Sequence, residues 1–156
     1  MPDDEPVTGT FLVTAADQGA TLLSAVDGGR VHPLAGDVDL AVGDVLEGTL
    51  EPAEPLAVTW RLAEVTARWH PEIEAVASPP GERAREIGTE AANGQLERLV
   101  DEDGEVHVLS VDPDRTAAAV DEVVRDETTR RIAARVGARR VEVRGEAGVV
   151  AVRYRT

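Results

Sequence analysis

At Ser78-Pro79-Pro80-Gly81 the pattern of apolar residues changes period, and that change limits the chain to a two-part mixed architecture. Before it, short β-branched runs alternate with turn residues. Thr10–Thr14 and Ala20–Val26 read as two strands joined by Asp17-Gln18-Gly19, and Asp27-Gly28-Gly29 turns the chain into a third at Arg30–Leu34. Leu40–Asp44 leads into Val45–Leu50, where Gly48 reads as a bend or bulge. The run from Leu56 to Trp69 and a short segment at Glu72–Val76 complete five or six strands with turn signals every eight to twelve residues. That spacing predicts a small closed β-barrel over 7–77, and the Leu40–Gly48 pattern resembles turns of OB-fold and SH3-like barrels.

After the prolines, an amphipathic helix is expected from Glu82 to about Asp103, weakened at Asn93-Gly94. Glu105–Val111 then reads as a buried strand that hands the chain to helices through Asp112-Pro113, an N-cap oxygen followed by a residue suited to the first helical position. Two helical stripes follow, Ala117/Val120/Val123/Val124 and Ile132/Ala133/Val136, the second closed by Gly137. A hairpin, Arg140–Arg144 with Val149–Tyr154, ends the chain. The expectation for 80–156 is thus an α-β-α-α-β-β domain, α+β in class, with helices on one face of a three-stranded sheet.

Charge is the other constraint. Thirty acids face sixteen bases for a net charge of −14, and every base is arginine. Such self-repulsion is tolerable where salt screens it, since the Debye length is about 3 Å at 1 M. An acidic, lysine-free composition of this kind resembles that of proteins from extreme halophiles, and it accounts for the acids without any cationic partner. With no cysteine, disulfides and thiolate chemistry are excluded. Met1–Glu5 shows no basic and apolar leader pattern, and no apolar run reaches membrane-spanning length, so a cytoplasmic protein without a membrane partner is expected.

The order from Gly9–Thr14 through Glu105–Leu109 to Val141–Arg144 and Val152–Tyr154 resembles a small family of acidic haloarchaeal proteins of unknown function. The resemblance implies a source and a cytoplasmic setting. It brings no activity, cofactor or site residue.

Catalytic signatures are sparse. His32, His70 and His107 lie far apart in sequence without metal-ligand spacing, and two of them precede proline, which suits turn or strand-end positions. No serine sits in a nucleophile elbow, and the glycines mark turns rather than phosphate loops. No metal, cofactor or enzyme activity is therefore expected. One feature stands apart. Thr128–Thr156 carries eight arginines against two acids, a local charge of +6, whereas Glu97–Glu127 carries −8. Strand alternation sends Val141, Val143, Val150, Val152 and Tyr154 to one side, and Arg140, Arg144, Arg153 and Arg155 to the other.

Three readings compete for that arginine face: ion pairing within the chain, with the acidic barrel as partner; a protein-interaction or homodimer surface; and a nucleic-acid contact, with Tyr154 among the few aromatics able to stack a base. A protein-binding or accessory module is the favoured function, RNA binding the alternative, and an enzyme with a site between the domains the remaining one.

Overall fold

The computed structural model describes residues 5–17, 20–36, 38–53, 59–102 and 104–156. The chain divides into two compact units, one running to Pro71 and the other from Glu72 to Thr156.

The first unit is a closed five-stranded barrel of β1 (Val7–Asp17), β2 (Ala20–Ala25), β3 (Val31–Leu34), β4 (Val45–Pro52) and β5 (Trp60–Trp69), in the spatial order β1-β2-β3-β5-β4 and back to β1. β1 is long enough to pair with both β2 and β4, and β3 meets β5 in parallel through Leu34 and Trp60. The core is Phe11, Val13, Leu23, Leu34, Leu46, Leu50 and Trp60. Gly48 is the expected irregularity: the β4–β5 register shifts beside it, and a Cβ there would lie 2.0 Å from the Glu64 carbonyl oxygen. The part of the Leu56–Trp69 run before Thr59, and Gln18-Gly19 of the first turn, fall outside the described residues.

The second unit is a five-stranded sheet, not a three-stranded one, in the order β6-β9-β10-β8-β7. The two added strands come from segments read differently in the sequence. β6 (Glu72–Ala75) belongs to this sheet rather than the barrel, pairing in parallel with β9 (Arg140–Glu146). The helix expected to about Asp103 stops early: α1 covers Glu82–Glu90, and Leu96–Asp101 is a strand, β7, antiparallel to β8 (Gly104–Ser110). The helix ends at Ala91 in extended backbone (φ −81°, ψ 150°), and Asn93-Gly94, with Gly94 at φ +84°, forms the turn that follows it and leads into β7.

Asp112-Pro113 opens a short 3-10 turn, Pro113–Arg115, and Asp112 makes no side-chain cap bond; α2 (Thr116–Arg125) begins after it. α3 (Glu127–Val136) ends at Gly137 with φ +74° as expected. The hairpin of β9 with β10 (Val149–Arg155) is also as expected.

Helices cover both faces of the sheet, not one. α2 and α3 pack on Val141, Val143, Val150, Val152 and Tyr154. On the opposite face α1 lays Ala84 and Ile87 against Val106, Val108, Val149 and Ala151. Gly88 makes that approach close, since a Cβ there would stand 2.7 Å from both Val149 methyl carbons. Ser110 Oγ donates to the Gly88 carbonyl at 2.5 Å. No helix among the described residues is long and apolar enough to cross a membrane.

Candidate functional site

The β9–β10 register pairs Arg144 with Ala151, Glu142 with Arg153 and Arg140 with Arg155, so these side chains share the α1 side of the sheet. Arg140, Arg144, Arg153 and Arg155 are thereby brought together as the alternation predicts. Tyr154 is not with them. It lies on the α2/α3 side, 2% exposed, with burial first and the charge of Glu105 next pushing its hydroxyl well above the usual tyrosine range. A base could not stack on it there.

Like charges directly opposite, as in Arg140 and Arg155, destabilise a sheet unless acids intervene. Among the described residues, the acids paired with these arginines stand in the same sheet. Arg155 Nε donates to Glu142 Oε1 at 2.5 Å, and Arg144 reaches the same oxygen at 3.5 Å. Arg140 pairs with Glu74 of β6 and lies 3.9 Å from Glu142. Arg153 makes two bonds to Asp101, at 2.9 and 3.1 Å. The bond from Arg155, then that from Arg144, holds the Glu142 carboxyl below the usual range although burial works the other way.

This face is not open throughout, as α1 covers its middle. Between the start of α1 and the end of β10 a cavity of about 280 Å³ remains. Arg83, Arg144, Arg153 and Arg155 line it, and Asp101 is the one carboxylate among the described lining residues. Ala84, Leu99, Val106 and Ala151 give it an apolar floor. Each guanidinium offers five donors in a planar fork, and among the described residues Arg144 also donates through Nε to Ser78 Oγ at 3.2 Å. Such an arrangement offers donors to an anion and an apolar floor to a short aliphatic body.

Two polar clusters elsewhere were not anticipated. On β8, Glu105 and His107 are both buried; Glu105 accepts from Arg98 at 2.7 Å and bonds His107 Nε2 at 2.5 Å, while the His107 ring sits edge-on to Tyr154. The spacing of two did carry a signal, because polar residues at two core-facing strand positions require each other. In the barrel, Asp44 accepts the Ala41 N–H and bonds His70 Nδ1 at 2.8 Å and Arg68 at 3.1 Å. Burial opposes ionisation of Asp44, but the Ala41, His70 and Arg68 contacts together hold its carboxyl below the usual range. Two of those contacts join the residue before β4 to the end of β5 and the residue after it, and nothing local in the sequence announces them. The third histidine, His32, is buried against Phe11 and Trp60, with Nδ1 lacking a partner; burial, then Arg30, lowers its basicity. Among the described residues no group of three His, Asp or Glu could hold a metal ion.

Residues 7–145, from the start of β1 to the penultimate residue of β9, match a family known as DUF5812. The chain belongs to DUF5812, a family of unknown function. The DUF5812 match takes in the whole barrel, α1 to α3, Arg140 and Arg144, and stops before β10 with Arg153 and Arg155. No curated protein and no solved structure matches the chain.

Proposed function

We propose that this DUF5812 protein is a non-enzymatic binding module whose arginine face takes an acidic segment of a partner protein. The observation that carries this reading is the gathering of Arg83, Arg144, Arg153 and Arg155 around one cavity in a chain of net charge −14. A protein whose remaining surface is acidic repels anionic partners, so a local cationic recess gives orientation and selectivity as well as attraction. Arg144 and Arg153 are only 21% and 23% exposed, which limits the side-chain entropy lost when they take a ligand.

An acidic peptide fits this setting better than RNA does. Sequence-tolerant RNA binding stacks bases on aromatics, and of the four aromatics Phe11, Trp60 and Tyr154 are spent in cores, which leaves Trp69 at the end of β5 as the one partly exposed. The barrel itself we read as OB-like rather than SH3-like, supported by its five-strand closure through a parallel β3–β5 contact.

Titration of poly-glutamate into the intact protein at 0.2 M and 2 M KCl tests the proposal. Binding at the lower salt, weakened at the higher and lost in R144Q/R155Q with the fold retained, is the expected result. Absence of poly-glutamate binding at both salts would overturn it. Binding of single-stranded RNA instead, with log affinity falling by about 0.7 per neutralised phosphate per decade of salt, would replace the protein partner with RNA.

A further inference from the structure

The cavity beside α1 already contains a carboxylate, and its source is the protein. Asp101 ends β7 opposite Gly104, and with no side chain at Gly104 the path from Asp101 to β10 is short. Its two oxygens receive Arg153 Nη1 and Nη2 at 2.9 and 3.1 Å, the paired geometry by which a guanidinium recognises a carboxylate. The two partners are unequally held. Arg153 lies within the sheet face at 23% exposure, while Asp101 stands on the rim at 47%. Arg144, Arg155 and Arg83 line the same recess, and its apolar floor includes Ala84 and Ala151.

Resting on the reading of this face as a binding surface, we propose that Arg153 is the primary carboxylate receptor and that Asp101 is a built-in competitor for it. An incoming carboxylate takes the Asp101 position on Arg153, its aliphatic stem lies on the apolar floor, and Asp101 turns out to solvent. The ligand class is a carboxylate on a short aliphatic chain, as in a glutamate side chain or a free dicarboxylate such as glutarate. Displacement is feasible because a partly exposed ion pair of this kind holds its partner weakly, by about 0–1 kcal/mol, which corresponds to at most about a fivefold competition.

The experiment uses the full chain at 0.2 M KCl, with glutarate and poly-glutamate as probes and calorimetric or NMR titration as readout. D101N, and D101S in case the asparagine amide still occupies Arg153, should bind both probes about two- to fivefold more tightly than wild type, within the range set by that competition. R153Q should abolish glutarate binding. If poly-glutamate binds and is lost in R144Q/R155Q, while both Asp101 variants bind no more tightly than wild type, the competitor role is overturned and the binding face stands. Glutarate binding that survives R153Q would overturn the receptor assignment. If neither probe binds any of these proteins while they remain folded, the binding face falls and the inference with it. Inorganic phosphate binding as tightly as glutarate would overturn the carboxylate class.

Discussion

Glu105 shows how a single residue couples this fold to pH. Its carboxylate is buried on the α2/α3 side of β8, and the bond from Arg98, helped by His107, outweighs burial and lowers its pKa to about 2. In an unfolded chain the same group titrates near 4.5. A carboxyl with a depressed folded value contributes stability that is complete above the unfolded value and is lost as pH falls through the folded one. Glu105 therefore contributes to acid lability between about pH 4.5 and 2. E105Q should lower stability at pH 7 by about 1–3 kcal/mol, because it leaves His107 and Arg98 without their charged acceptor. Denaturant melts from pH 7 to 2.5 should also show a smaller loss of stability on acidification than in wild type. An unchanged slope would mean that the pair contributes nothing.

At the scale of elements, α1 tests packing against propensity. Ala in place of Gly in a helix interior is worth about 1 kcal/mol on propensity alone, so local rules predict that G88A stabilises. The structure predicts the opposite sign. A Cβ at Gly88 would stand 2.7 Å from two methyl carbons of Val149, a β-branched and buried side chain with little rotamer freedom. G88A should lower Tm, and the double variant G88A/V149A should recover part of the loss; a G88A chain more stable than wild type would mean that α1 does not hold its close seat on β10. The same close seat narrows the arginine face to the cavity beside Arg83, and the open face expected from strand alternation is lost under α1.

Over the whole molecule, the question is where one unit ends. Glu72–Ala75 is β6 of the second sheet: the Glu72 N–H bonds Arg139, the Val76 N–H bonds Val143, and Glu74 pairs with Arg140. A chain of residues 72–156 should fold alone, whereas 80–156 lacks β6, uncovers β9 and should be less stable by roughly 2–4 kcal/mol in urea melts. Equal stability of the two would remove β6 from the folding unit. Salt acts at this scale too. At net −14, dilution from 1 M to about 0.1 M lengthens the Debye distance from about 3 to 10 Å, and Tm should fall; a flat response would overturn a salt-adapted surface.

Local chemistry was enough to place most elements. Gly28, Gly29, Gly137 and Gly148 mark turns through φ values that few other residues adopt, and the alternation in β9 and β10 decides which side each arginine takes. Partnership was decided elsewhere. Leu96–Asp101 has apolar spacing that suits a helix as well as a strand, and it is a strand because β8 offers it a ladder. Glu72–Ala75 could have joined either sheet by pattern, and it lies in the second because β9 had a free edge. The acids that pair with the arginines, Glu74, Glu142 and Asp101, stand on three different strands, and only the sheet order β6-β9-β10-β8-β7 brings them within reach. Turns and side-chain alternation follow from a few neighbouring residues, whereas strand neighbours and ion partners follow from long-range pairing, which leaves no mark at any one position.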